Sequence, residues 1–552
     1  MLAIYQNFGS YLASLQEVDL EDLFIRTEDI KPTEILKYFV ELSGDREIID
    51  AVKGINPVVL VGARGVGKSF LLRVAQAELL SSFAHQKVLA VYVSFNSNPL
   101  LQALSDQQFT AWMLAKVCTA TARELGKRGV HFTETNGLSI LQPDGVTTEG
   151  RETLESIQFK LENAWRLENT DVNVSAVPDV QDVKQNLEEI CENNQVDRII
   201  LLIDEAAHIF LPRQQRLFFS LFRDLRSPYI NCKAAVYPGV TSYGSSFQPF
   251  HDAHMIDVER NVMDPSYVNS MRDIALRQVS LSLSKQINQY GQNFAILAFA
   301  SYGNPRVLLK SLSRVTKLST NDVNLYIREY YRTEVWSEHS QLIGKYNGHR
   351  ALIDWARDFI ENNVLPAIHG RNKTNTEGFT AFFWIHRDAP AFVGQALAIL
   401  KYAGIIQEKL DGVKNGKSEI GTKYMVNLGC LFALETLATT FAFELATRLD
   451  DKKFIEYGAR HPAFAKDITK FSSLEDDHVA RLVLSEQLQK SIDNLDLTDF
   501  QKGILKQIGL LRIIDVLQAT EEKLQEAKFI GEVRSRRMRN AAWAAAFEYL
   551  SG

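Results

Sequence analysis

Four continuous apolar runs stand out against a largely helical pattern in the first half of the chain. Val58–Val61, Val88–Phe95, Arg198–Glu205 and Cys232–Val240 read as strands buried on both faces of a parallel sheet. Met255–Val258 adds a further short strand. Between the runs, apolar residues recur at helical spacing, as in Phe70, Leu71, Leu72, Val74 and Ala75, and again over Asp182–Asn193. Strands alternating with helices predict an α/β core. The stretch 97–195 is longer than one crossover needs and reads as a mostly helical insertion, with a polar section around Gly137–Gly150. Residues 1–45 read as short helices, with Tyr11, Leu12, Leu15 and Val18 on the packing face of a docking arm. Residues 265–335 read as helices.

The pattern changes after residue 345. Ala351–Val364 is helical, Phe379–Trp384 is a short element, and Ala391–Tyr402 is an apolar helix ended by Ala403 and Gly404. Ile405–Leu410 and Thr422–Leu428 read as strands around the polar, glycine-bearing stretch Asp411–Gly421. Helix, strand, turn and strand in that order predict a β-hairpin wing beside a helix. Phe432–Arg448 is an alanine-rich helix suited to packing between domains, and 450–490 reads as charged and helical. Near the end, two helical pairs turn at Gly509 and Gly531, with Thr520 at the N-cap of the helix between them.

Chemistry enters with Gly62–Ser69, which fits G-x-x-x-x-G-K-S/T between a strand and a helix. Backbone N–H groups of Gly62, Ala63, Arg64, Gly65, Val66 and Gly67 can turn inward around a phosphate, and the helix N-terminus that follows, through Phe70, favours an anion. Lys68 can reach the β/γ-phosphates, and the Ser69 hydroxyl can ligate Mg²⁺. The third run ends in two carboxylates. There Asp204 would bind Mg²⁺ and Glu205 would polarise an attacking water as general base. The fourth run ends in Thr241 and Ser242, either contacts for a γ-phosphate or hydroxyls that cap a turn. Tyr302-Gly303-Asn304-Pro305-Arg306 reads as a loop entering a helix, with Pro305 in the first turn and Arg306 able to swing over a nucleotide.

Composition narrows the classes. At 552 residues, three or four domains are expected. The net charge of -6 confines any nucleic-acid contact to local patches. Four scattered cysteines, with no C-x-x-C pair, exclude a zinc ribbon or disulfide framework and suit a cytoplasmic protein. No signal peptide, membrane span or membrane partner is expected.

Phosphate loop, Asp-Glu strand end, polar strand tip and Gly-x-Pro-Arg helix entry occur in the order used by AAA+ ATPases. Residues about 39–430 resemble the origin-recognition (initiator) branch and, more loosely, the STAND signalling ATPases. The resemblance implies Gly62–Ser69 as Walker A, Asp204 and Glu205 as Walker B, Thr241 or Ser242 as sensor 1, and Arg306 as sensor 2. It implies ATP and Mg²⁺ as cofactors, with Lys68, Glu205 and Arg306 catalytic, and a winged helix at 345–440. Arg223 and Arg226 lie on the helix where an arginine finger would sit, and an ATP-dependent homo-oligomer is among the assemblies allowed. The C-terminal segment resembles the paired helix-hairpin-helix units of the RNA polymerase alpha subunit's C-terminal domain.

The expected fold is multidomain α/β plus α: a P-loop NTPase (AAA+) parallel-sheet core with a helical lid, a winged helix and a C-terminal helix-hairpin-helix-like domain. Boundaries fall at 1–45 (arm), 46–262 (core), 263–340 (lid), 345–440 (winged helix) and 450–552 (C-terminal domain). Double-stranded DNA is the expected partner. Lys414 and Lys417 on the wing and Lys528, Arg534, Arg536 and Arg537 near Gly531 would contact phosphates, with Gln395 and Lys401 on the helix. Docking of the last helix on another domain through Met538, Ala541, Ala542 and Ala545 is the alternative. The expected function is an ATP-dependent DNA-binding ATPase with slow, regulatory hydrolysis. The competing function is a signalling or scaffold ATPase of an antiviral defence or transposition complex, with a nuclease, helicase or transposase as protein partner.

Overall fold

The computed structural model describes residues 23–95, 104–129, 154–162, 174, 177–206, 212–244, 246–344, 350–374, 378–415, 419–435, 437–464, 488–495 and 497–550. The arm face Tyr11–Val18, the polar stretch 137–150 and Lys417 lie outside them.

Five strands form the first sheet: β1 (Val58–Val61), β2 (Val88–Ser94), β3 (Arg198–Asp204), β4 (Ile230–Val236) and β5 (His254–Asp257). All pair in parallel, in the order β2-β3-β4-β1-β5. Ile199, Leu201 and Ile203 of β3 pack with Trp112, Phe218 and Phe219 on one face. Ile200 and Leu202 pack with Ile49, Leu72 and Ala75 on the other. Both faces of β3 are covered, so the strand is apolar from Ile199 to Ile203 rather than alternating. Asn231 and Lys233 are buried polar exceptions in β4, and Lys233 is the charged one. Its ammonium donates to the Gly54 carbonyl at 2.8 Å and to that of Asn56, pinning the loop that leads into β1. Between β2 and β3 the described part of the insertion is helical: Asp106–Lys127, Leu154–Glu162 and Val180–Asn193.

The fourth strand stops at Val236, four residues before its expected end. Pro238 has no N–H for a ladder, and Gly239 adopts φ +80°. The polypeptide therefore turns away, which moves Thr241 and Ser242 off the strand tip.

Lid helices Tyr267–Leu276, Leu281–Gln289, Gly291–Ala300, Pro305–Arg314 and Thr320–Glu329 follow. A second sheet has the order β7-β8-β6-β9, from β6 (Phe382–His386), β7 (Ile406–Asn415), β8 (Glu419–Val426) and β9 (Ile455–Tyr457). The β7–β8 hairpin follows the helix Ala391–Tyr402, giving the expected helix–strand–turn–strand order. β9 pairs in parallel with β6, in a stretch that sequence periodicity reads as helical. Its three residues are too few to carry a period.

Lid and second sheet share one hydrophobic core, running from Phe294 and Tyr331 to Phe383, Leu400 and Tyr457. The Tyr302 hydroxyl donates to the Met425 carbonyl at 3.0 Å, and the Thr439 N–H donates to Asn324 Oδ1 at 2.9 Å. These contacts join the lid to the hairpin. Residues 488–550 have a separate core, including Leu505, Ile513, Leu524, Met538 and Ala542. The apolar stripe of the last helix is used inside its own domain. No described helix is long and apolar enough to cross a membrane.

Candidate active site

The loop between β1 and the helix Lys68–Ser81 opens at the C-terminal ends of the parallel strands, where α/β folds bind ligands. Gly65 sits at φ +91°, and a Cβ there would lie 2.6 Å from Asn304 Oδ1, so glycine lets the lid approach the loop. Lys68 is buried at the helix start, and its Nζ donates to the Gly62 and Ala63 carbonyls at 2.6 and 3.0 Å. Burial pulls its pKa down to about 7, opposed by Asp204 and Glu205.

At the end of β3, Asp204 is buried and accepts hydrogen bonds from the Tyr92 hydroxyl and, at 2.9 Å, from the Glu205 N–H. Glu205 adopts φ +59°, a conformation costly for a residue with a Cβ and concentrated at functional sites. Burial raises its pKa, and the neighbouring Asp204 raises it further.

Thr241 does not reach this site. Its hydroxyl caps the turn by donating to the Tyr237 carbonyl at 2.7 Å, and the Ser242 N–H donates to Gln215 Oε1 at 2.7 Å. The side chain at the strand tip is Tyr237. Its hydroxyl donates to Glu205 Oε1 at 3.2 Å, and its ring centre lies 4.2 Å from Lys68 Nζ. The signal was available: a lone aromatic hydroxyl directly after an apolar strand and before proline.

Arg306 enters from the lid. Asn304 caps the helix Pro305–Arg314 by accepting from the Val307 N–H, while its Nδ2 donates to the Arg64 carbonyl at 2.7 Å. That bond joins lid to phosphate loop. Arg306 Nε donates to the Ile25 carbonyl at 3.1 Å, and burial followed by the nearby Arg64 lowers its pKa. Residues Phe24, Ile25, Tyr38 and Phe39 of the N-terminal arm thus line the site.

A cleft runs from Lys68, Arg64 and Arg306 to Tyr38, Phe39 and Phe70. Beside it, the buried Arg260 and Asp45 pair at 2.5 Å. Gln278 Oε1 lines the cleft buried, with no hydrogen-bond partner among the described residues. A cationic end, an apolar end and an orphaned acceptor between them fit a nucleoside triphosphate. Ser69 and Asp204 fit Mg²⁺, which is held by few protein oxygens plus phosphate. Among the described residues, no group of three His, Cys, Asp or Glu forms an all-protein metal site.

A family model described as ORC-CDC6-like matches residues 24–365. The chain belongs to the ORC-CDC6-like family. It is an AAA+ protein of the initiator type, built on the parallel-sheet P-loop core described above. Comparison with curated proteins finds no match. Among solved structures, a Walker-type ATPase of Pyrococcus abyssi is similar at 12% identity and TM-score 0.38, over 76% of this chain and 97% of that one. The Aeropyrum pernix ORC1 protein in complex with DNA is similar at 12% and 0.32, over 77% and 95%. The Aeropyrum pernix ORC2 protein, in ADPNP–ADP complexes, is similar at 9% and 0.35, over 73% and 95%.

In this ORC-CDC6-like chain the residues expected to meet DNA divide sharply. The Ala391–Tyr402 helix is mostly buried. Gln395 is half-buried, and Lys401 pairs with Glu408 at 2.6 Å. A Cβ on Gly239 would lie 2.5 Å from the Ala398 carbonyl, so the helix is seated on the turn after β4. Lys414 falls within β7. In the C-terminal domain, Lys528, Arg534 and Arg537 are exposed. Arg534 caps the preceding turn through the Phe529 carbonyl at 2.7 Å. Arg536 is instead drawn inward, 3.0 Å from Glu532 and 3.7 Å from Asp388 beside the buried helix. Thr520 caps the helix Glu521–Gln525 as expected. The left-handed residue of the last turn is Phe529, at φ +73°, not Gly531. On the core, Arg223 is held by Asp224 and the Ser246 carbonyl.

Proposed function

We propose that this ORC-CDC6-like protein binds ATP with Mg²⁺, hydrolyses it slowly, and uses nucleotide state to govern its engagement with duplex DNA. The observation that carries the reading is the bond between Asn304 of the lid and the Arg64 carbonyl of the phosphate loop, with Arg306 over the same cleft. Lys68, Arg64 and Arg306 gather anionic oxygens. Asp204 and Ser69 would hold Mg²⁺, which when bound neutralises charge on the phosphates. Glu205 takes the proton of an attacking water. A nucleotide that shifts Arg306 turns the lid, and the shared core transmits that turn to the β7–β8 hairpin. The buried helix must leave its seat on Gly239 before it can meet DNA. Lys528, Arg534 and Arg537 supply an exposed contact that needs no such release.

On this reading the chain divides into a core, a lid-plus-hairpin body and the 488–550 domain. A second reading, the scaffold ATPase with a protein partner, draws support from the burial of the Ala391–Tyr402 helix. Gel filtration with and without ATP tests for the assembly that reading requires.

DNA binding is tested by titrating duplex DNA across a range of salt. The Lys528→Ala/Arg537→Ala variant is expected to weaken binding uniformly across sequences and to reduce the slope of log K against log salt by roughly 2, about 0.9 per lost phosphate contact. An unchanged slope removes these residues from the interface and favours the partner-protein reading.

A further inference from the structure

Tyr237 joins two regions that otherwise have little in common. On one side its hydroxyl holds Glu205 Oε1 at 3.2 Å and its ring lies against Lys68, 4.2 Å from the ammonium. On the other side its ring meets that of Tyr402 edge-on, with centres 5.6 Å apart and planes at 77°. Tyr402 is the last residue of the buried helix, and its neighbour Ala398 seats on Gly239, two residues after Tyr237. The tyrosine is itself 5% exposed, and its carbonyl is tied by Thr241. A ring so confined cannot move without disturbing both neighbours. Edge-on aromatic packing favours one relative orientation, so displacing Tyr402 changes where the Tyr237 ring rests.

We infer that Tyr237 is a positioning residue that sets the Glu205 carboxylate and Lys68 for hydrolysis, and that the seating of the Ala391–Tyr402 helix reaches the nucleotide site through it. The inference rests on the ATPase reading above. It adds a route: the helix that must leave to meet DNA is also the one that buttresses the catalytic carboxylate. Departure of the helix therefore alters turnover, and the coupling runs in both directions.

The groups facing Glu205 are Asp204, Tyr237, Arg64, Glu28 and Lys68. Tyr237→Phe keeps the ring and removes only the hydroxyl. In the full-length protein, this variant is expected to lower kcat at saturating ATP by about tenfold, the worth of one hydrogen bond to a charged group. Its Kd for ATP should stay within about threefold of wild type. Tyr402→Ala is expected to change kcat without changing ATP affinity, and Tyr402→Phe to restore it. A Tyr237→Phe enzyme with wild-type kcat overturns the positioning role. Wild-type kcat in Tyr402→Ala overturns the route from the helix. A wild-type protein that binds ATP and never turns it over instead takes down Glu205 as the base, and this inference with it.

Discussion

Lys68→Ala will abolish measurable ATP binding. The residue is buried at the first turn of a helix whose N-terminus faces the cleft, and its ammonium donates to the carbonyls of its own loop, Gly62 and Ala63. Those two bonds hold the ammonium at the mouth of the loop, where phosphate oxygens would bind. Burial has already lowered its pKa to about 7, so an anion arriving there meets a poorly solvated cation and draws it back towards full charge. Each charge-assisted hydrogen bond of this kind contributes about 1.5–3 kcal/mol, so losing two removes at least about a hundredfold in affinity. Titration with a fluorescent ATP analogue measures this directly. Thermal unfolding without nucleotide separates a binding defect from a folding defect. A variant that is folded and binds ATP like wild type would remove the loop from the site.

Glu205→Gln has the opposite signature. Glutamine keeps the size of the side chain and can still accept from Tyr237, so ATP binding should persist. It cannot take a proton, so turnover should fall by about 10²–10⁴-fold. The pH dependence has a definite sign. Burial, with Asp204 second, raises the pKa of Glu205, so the base is lost on acidification at a higher pH than an ordinary carboxylate. The wild-type kcat should therefore fall as pH drops through that raised value, while ATP affinity falls less. Steady-state phosphate release between pH 5 and 8 reads both. Unaltered turnover in the glutamine variant would place the general base elsewhere.

The parallel sheet and its phosphate loop were legible because both depend on short stretches of chain. A strand covered on both faces carries a continuous apolar run: Val58–Val61 is apolar throughout, Arg198–Asp204 is apolar between its charged ends, and Ile230–Val236 admits only Asn231 and Lys233. Asp204, Glu205 and Arg306 were legible because each sits at a fixed place relative to a strand end or a helix entry. What escaped was settled by packing between distant segments. Tyr237 replaces Thr241 at the strand tip because Pro238 and Gly239 end β4 early, and neither its contact with Glu205 nor that with Tyr402 leaves a local pattern. The 23–45 segment reads as an arm in one dimension, yet the Ile25 carbonyl receives Arg306 across 281 residues of chain. Periodicity marked the Ala391–Tyr402 helix as apolar but could not say what covers it. Its cover includes the turn after β4, so the helix with the strongest expectation of reading DNA lies against the ATPase core.

That seat makes the switch testable. Duplex DNA affinity of the full-length protein should be measured at one fixed salt concentration, with Mg²⁺ and a non-hydrolysable ATP analogue and again without nucleotide, with Lys68→Ala in parallel. Binding at least about tenfold tighter with the analogue is expected, corresponding to about 1.4 kcal/mol of coupling, with no nucleotide effect in Lys68→Ala. Equal affinity in wild type with and without the analogue would contradict it.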